Sequence, residues 1–301
     1  MDRKEYLRYL PILLKGRPLH SKIRYKPFFI IGSGRSGNTL LRAILETHPE
    51  LHIPPETYVL GKVINDYKMY SRLPWRVLLK IILAEFEYYP EFSTFGISLA
   101  KLFNQLKETK PKDRDLAYIL HNLYVFHAKS VKIKAKRWGD KTPLNTFYLN
   151  KIYSVFPDSL FIHIVRDGRD VVRSYLKSGR YNSIQASADR WLRSVQKAIK
   201  FGRQHPEQYL EVRYENLVRS PKKCIQSVCD FLSLEFFDVM LRHHEIDLDL
   251  GDVEAHAHHA NVNNAINTDS IGKWRQHFNA EEIAELNASI GPLLDKLGYE
   301  T

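Results

Sequence analysis

Phe28-Phe29-Ile30-Ile31-Gly32-Ser33-Gly34-Arg35-Ser36-Gly37-Asn38-Thr39 joins a short apolar run to a turn of glycine and serine. Leu40, Leu41, Ile44 and Leu45 follow at helical spacing. The apolar run fits a buried strand, and the spacing after the turn predicts a helix over 38–47. Gly32, four residues, Gly37, one residue and Thr39 reproduce the spacing of a nucleotide P-loop. Backbone N–H groups of such a turn point inward, and the helix N-terminus adds partial positive charge, so the loop holds an anion. The lysine that bridges the outer phosphates of a triphosphate is absent, however. Asn38 stands in its place, and Arg35 lies inside the loop. A site that hydrolyses ATP lacks its main charge clamp here.

The same alternation continues along the chain. Leu160–Val165 reads as a second strand that runs into Arg166-Asp167-Gly168-Arg169-Asp170 and a helix through Ser178. A third strand is expected over 209–214, followed by Pro221 and a helix to Leu232. The last helix is expected over 280–297, stopping at Gly298. Short apolar strands alternating with helices predict an α/β fold: one domain, a central parallel sheet flanked by helices, P-loop-like. We divide the chain into a lead-in segment, 1–26, and a domain, 27–301, with a helical region at 61–132 broken by Pro74, Pro90 and Pro111.

Composition narrows the partners. Of 301 residues, 45 are Lys or Arg and 34 are Asp or Glu, a net charge of +11 that favours anionic ligands. Cys224 and Cys229 are too few for a disulfide framework and read as packing thiols on a helix. The longest apolar stretches fall short of the roughly 20 residues that cross a membrane. Pro11, Asp2 and Glu5 interrupt any signal-peptide pattern at the N-terminus. The expectation is a cytoplasmic protein, with weak membrane-surface association through the basic N-terminal segment left open.

Phe29 to Leu41 resembles the 5′-phosphosulfate loop of sulfotransferases that use 3′-phosphoadenylyl sulfate (PAPS), with Asn38 replacing a threonine. The resemblance implies that Arg35, Ser36, Gly37, Asn38 and Thr39 hold the 5′-phosphosulfate. The segment 165–175 looks like the family's 3′-phosphate site, which carries that role onto Arg166 and Ser174. An arginine at a strand end with a nearby hydroxyl suits a phosphate dianion. Arg169 and Arg173 instead read as partners of Asp167 and Asp170 on a solvated helix start. Val212-Arg213-Tyr214-Glu215-Asn216-Leu217 and Ser270-Ile271-Gly272-Lys273-Trp274-Arg275 match two further family segments. They place Tyr214 and Lys273 near the nucleotide, although Tyr214 reads equally well as a core residue. The polar stretch 261–269 reads as a lid.

The resemblance also implies a reaction. Glu56, in a turn stiffened by Pro54 and Pro55, matches the general base of the glycan- and tyrosine-modifying branch, and the histidine motif of the cytosolic branch is not found. His52 is the alternate base. Lys141, in Trp138-Gly139-Asp140-Lys141-Thr142-Pro143, resembles the lysine that steadies the bridging oxygen, a task Arg35 shares. PAPS is the implied cofactor, PAP the product, and no metal is required. The acceptor is a hydroxyl, carbohydrate or amphiphilic in character or a tyrosine, and not a nucleic acid. Two alternatives compete: a P-loop kinase or hydrolase, for which Asp140 is the nearest magnesium ligand, and a non-catalytic anion-binding module. His256, His258 and His259 lack metal-site spacing. His163, inside a strand, reads as a satisfied core histidine. The aromatics Tyr67, Tyr70, Trp75, Phe86, Tyr88, Tyr89, Phe92 and Phe95 suit either an acceptor surface or a core.

Overall fold

The apolar run forms strand β1 (Phe28–Gly32), buried along its whole length. A strand apolar in both phases needs cover on both faces. Phe29 and Ile31 pack into one core, and Phe28 and Ile30 into another on the opposite face. Strands β2 (Leu51–His52), β3 (Arg137–Lys141), β4 (Leu160–Val165) and β5 (Tyr209–Arg213) complete a sheet of order β2-β3-β1-β4-β5. Every pairing is parallel, with Ile30 opposite Lys141 on one side and Gly32 opposite Ile164 on the other. This computed structural model describes residues 15–22, 25–131, 135–246, 250–251 and 264–300. His256, His258, His259 and residues 261–263 of the expected lid lie outside them.

Helix α1 (Asn38–Glu46) follows the glycine turn and buries Leu41, Ile44 and Leu45 against the Phe28 face. Helices α2 (Leu60–Tyr70), α3 (Trp75–Glu87), α4 (Ala100–Leu106), α5 (Leu116–Ser130) and α6 (Leu149–Val155) build the Phe29 face. Helix α7 (Gly168–Lys177) packs with the long α8 (Ile184–Gln204) around Trp191, and the last helix closes this third cluster. Helices α9 (Tyr214–Arg219) and α10 (Pro221–Leu232) follow β5. The last helix, α11 (Ala280–Lys296), starts on a capping box between Asn279 and Glu282, a motif that satisfies two orphan N–H groups. Gly298 follows it with φ 73°, as its C-terminal reading requires.

The fold class is as the sequence reads, but four boundaries differ. Trp138 to Lys141, not among the strands expected above, is itself strand although it contains Gly, Asp and Lys. Gly139 sits there because a Cβ would lie 2.4 Å from the Phe28 ring on the neighbouring strand. The two-residue β2 and the 21-residue α8 carry weak or unbroken sequence signals and were not expected. Strand β5 stops at Arg213, and Tyr214 opens α9 instead. Pro74 precedes α3, and Pro90 and Pro111 start short 3-10 turns, so all three act as breaks. Tyr67, Trp75, Phe86, Phe92 and Phe95 are core, whereas Tyr88 is exposed. Among the described residues no helix is long and apolar enough to cross a membrane.

Candidate active site

All five strands deliver a candidate residue at or beyond their carboxyl ends. The glycine loop follows β1, Glu56 comes four residues after β2, Lys141 ends β3, Arg166 follows β4 and Tyr214 follows β5. The chain adds strands on both sides of β1, and a parallel sheet opens its binding crevice at such a switch point.

Backbone geometry shapes the loop first. Arg35 and Gly37 both take positive φ, 66° and 98°. At Gly37 a side chain is excluded twice over, since a Cβ would also lie 2.5 Å from the Tyr214 ring. Three contacts pin the loop. Thr146 Oγ1 accepts from Gly32 N–H at 2.8 Å and donates to Gly32 C=O at 3.0 Å. Ser33 and Tyr175 share a hydroxyl hydrogen bond of 3.0 Å. Asn38 Nδ2 donates back to Ser33 C=O at 2.7 Å, so the residue in the lysine position seals the loop. Ser36 Oγ is buried with no hydrogen-bond partner among the described residues.

Arg166 marks the other end of the crevice. It donates through Nη1 to Arg35 C=O at 3.2 Å and through Nη2 to Ser270 C=O, and its guanidinium lies 4.5 Å over the Tyr214 ring. Its Nε is buried without a partner among the described residues. Ser174 Oγ accepts from Arg35 Nε at 2.9 Å, so Arg35 touches both candidate phosphate grips. Burial, with Arg166 and Arg180 adding to it, lowers the Arg35 pKa against the opposing influence of Tyr175. Tyr214 is buried, as the core reading expects, and lies wedged between Gly37 and Arg166.

Two readings of this segment are corrected. Arg169 does pair with Asp167, at 2.8 and 3.0 Å, but both are buried rather than solvated, and Arg169 stacks 4.0 Å from Trp274. Asp170 turns away from the arginines of its own helix and accepts from Gly272 N–H at 2.7 Å and Trp274 N–H at 3.0 Å. Burial raises its pKa, and Arg166 and those two N–H groups oppose the rise. Asp170 and Arg166 thus tie down the segment 270–274. Lys273 itself is exposed.

Glu56 and Lys141 meet as an ion pair. The lysine side chain is fully buried, whereas 11% of the Glu56 side chain is exposed. Lys141 Nζ also lies 3.4 Å from Thr39 Oγ1, which puts one ammonium between the glycine loop and the carboxylate. Neighbours hold this geometry. Thr57 N–H donates to Thr142 Oγ1 at 3.0 Å, and Thr57 Oγ1 donates to Asp140 Oδ2 at 2.9 Å. Tyr124 OH and Asn145 Nδ2 donate to the same carboxylate at 2.6 and 2.8 Å. Burial raises the Asp140 pKa, opposed by these donors. Asp140 is therefore a buried anchor whose two oxygens are taken by protein donors, not the open magnesium ligand of the kinase reading. His52 is buried as well, between Glu46 at 2.9 Å and His127 at 2.8 Å, which leaves neither ring nitrogen for a substrate proton. His163 is buried, and its Nδ1 meets Tyr209 OH at 2.5 Å, but Nε2 has no partner among the described residues, so it is half satisfied.

Thr57 and Thr146 escape a sequence reading, and the contacts of Asp170 and Tyr175 are not legible from the segment 165–175 that contains them. Each acts across 83 or more residues of chain, through a hydroxyl or carboxylate.

Comparison with known proteins follows the same lines. The sequence model described as "Sulfotransferase family" matches residues 27–238. A putative protein-tyrosine sulfotransferase of Caenorhabditis briggsae is 29% identical over 91% of this chain and 89% of its own length. Protein-tyrosine sulfotransferase 1 of Danio rerio is 27% identical over 90% of this chain and 72% of its own. Among solved structures, the sulfotransferase domain of the Synechococcus olefin synthase superposes with a TM-score of 0.62. It covers 95% of this chain and 100% of that one at 23% identity, a likeness of fold. With the family match spanning the sheet, the glycine loop and the segments that carry Glu56, Lys141 and Arg166, the chain belongs to the sulfotransferase family.

Proposed function

We propose that this sulfotransferase moves a sulfuryl group from PAPS to the phenolic hydroxyl of a tyrosine in a protein or peptide. The position of Lys141 carries the reading. One buried ammonium reaches both the end of the glycine loop, at Thr39, and the Glu56 carboxylate.

The residues fit PAPS at both of its ends. Ser36 Oγ and Arg166 Nε are buried polar groups without partners among the described residues, one in the glycine loop and one beyond β4. Buried polar groups in native proteins are normally hydrogen-bonded, so such pairs point to a ligand. The Gly37 cradle, which a Cβ would fill, gives backbone access. Arg35, Ser36, Gly37, Asn38 and Thr39 would hold the 5′-phosphosulfate. Arg166 and Ser174 would hold the 3′-phosphate. Tyr214 would wall the nucleotide, and Lys273 would contribute charge at the rim. PAPS supplies an activated sulfuryl group on a leaving phosphate, and the protein needs no metal to activate it.

Glu56 would take the proton of the acceptor hydroxyl as general base. Lys141, whose side chain is fully buried, and Arg35 would steady negative charge on the oxygen that leaves with the nucleotide. The names of the relatives along about 90% of the chain support tyrosine as acceptor. A carbohydrate or amphiphilic alcohol is the competing acceptor.

The test is transfer of radiolabelled sulfate from PAPS to a peptide with one tyrosine, in the presence of a chelator. Label on that peptide, and none on its Tyr→Phe counterpart, is expected. Label appearing instead on a saccharide acceptor, with the peptide unlabelled, overturns the choice of tyrosine.

A further inference from the structure

The residue after Thr57 is held in an unusual way. Tyr58 has φ 53°, a left-handed value that bulky side chains rarely adopt. It sits at the centre of a three-residue turn closed by Val59 N–H on Thr57 C=O at 2.6 Å. Thr57 itself is fastened to Asp140 and Thr142. Strained backbone persists where the surroundings over-determine it, and it gathers at ligand sites. Here it falls two residues from Glu56.

The turn places the Tyr58 ring on Tyr89, with centroids 5.5 Å apart and planes 26° from parallel. Both rings are half-buried, whereas Phe92 and Phe95, just along the chain from Tyr89, are core. Tyr89 also lies within the electrostatic reach of Glu56. Burial raises its hydroxyl pKa, the carboxylates of Glu91 and Glu56 add to the rise, and Arg180 opposes it. Arg180 acts on Arg35 as well. The turn at Tyr58 therefore ties the ring pair to the Glu56 end of the crevice.

We infer that the Tyr58–Tyr89 pair is an acceptor platform, on which an aryl ring packs so that its hydroxyl meets Glu56. Aromatic rings gain from offset or edge contact beyond simple area burial, and an aliphatic alcohol cannot collect that gain. Tyr58 and Tyr89 are positioning residues that sort aryl from aliphatic hydroxyls. This inference rests on the tyrosine reading above and adds the residues that enforce it.

The test uses the full chain with Tyr58→Gly, Tyr58→Phe and Tyr89→Ala. Glycine accepts φ 53° and removes the ring, so it separates the platform from the backbone turn. Transfer to the tyrosine peptide is measured as KM and kcat separately, and PAP affinity is measured by calorimetry. Tyr58→Gly and Tyr89→Ala should each raise the peptide KM roughly three- to tenfold, the scale of one aromatic contact. The kcat and the PAP affinity should hold, and Tyr58→Phe should restore the wild-type KM. Wild-type KM in both ring-deleted variants overturns the platform, and so does a KM rise matched by an equal loss of PAP affinity. If the wild-type enzyme labels no aryl hydroxyl while it labels another acceptor, the tyrosine reading fails first and the platform falls with it.

Discussion

Replacing Glu56 with Gln separates the chemistry of this site from its architecture. Glutamine keeps the length and shape of the side chain, and its amide oxygen still accepts from Lys141. What it loses is the capacity to take a proton. The magnitude follows from the surroundings. Loss of a positioned general base costs about 10²- to 10⁴-fold in rate, or about 2.7–5.4 kcal/mol of barrier. The stability cost should be smaller. Removing one member of a buried ion pair costs about 3–5 kcal/mol when the other charge is stranded. Glu56→Gln retains the hydrogen bond and should fall nearer 1–3 kcal/mol, whereas Glu56→Ala removes the carboxylate oxygen from beside the fully buried Lys141 and should fall at the upper end. Single-turnover transfer from labelled PAPS reads the barrier. Calorimetry with PAP reads the nucleotide site, which should change less than about threefold, and thermal unfolding reads the fold. Transfer within threefold of wild type, with PAP affinity intact, would refute Glu56 as the base and leave the Lys141 pair as a structural contact.

Four other outcomes are expected. Arg166→Ala should weaken PAP about tenfold or more and leave adenosine 5′-phosphosulfate nearly unaffected, because only PAP carries the 3′-phosphate; calorimetry with the two nucleotides separates them. Gly37→Ala should abolish measurable PAP binding while the chain stays folded by circular dichroism, since a Cβ meets the Tyr214 ring at 2.5 Å and φ is 98°. Asp140→Asn should lower unfolding free energy in urea by about 1–3 kcal/mol, because one of the oxygens that accept from Thr57, Tyr124 and Asn145 becomes a donor. Burial pushes the His163 pKa down to about 3, so the folded state disfavours its proton and the unfolded state takes one up near pH 6.5. Its contribution to stability is present above pH 6.5 and is lost as pH falls toward 3, at about 1.4 kcal/mol per pH unit. Urea titrations at pH 7, 6 and 5 should show a shallower decline in His163→Phe than in wild type; equal slopes would contradict the assignment.

The parts legible in the sequence are those fixed by local physics. The alternation of apolar strand, glycine turn and helix at 28–47 needs only neighbouring residues to be read, and the crevice end of β4 follows from one apolar run meeting a charged one. Strand β3 was hidden because its polar residues are buried by partners far along the chain: Asp140 bonds to Thr57 and Tyr124, and Lys141 to Glu56. Arg169 reads as a surface charge until Trp274 arrives from a hundred residues away to cover it. Asp140 reads as an open carboxylate for the same reason. Tyr58 carries no sequence signal at all, since nothing in Glu56-Thr57-Tyr58-Val59 announces a left-handed backbone. Periodicity reports which face is buried. It does not report which distant hydroxyl or ring completes a polar group.

The grip on both ends of the nucleotide is most directly tested by a crystal structure of this chain with PAP. The account predicts the 5′-phosphate among the N–H groups of Ser33 to Thr39, with Ser36 Oγ bonded to it, and the 3′-phosphate on Arg166 and Ser174. A nucleotide bound with its 3′-phosphate away from Arg166, or with the glycine loop vacant, would contradict it.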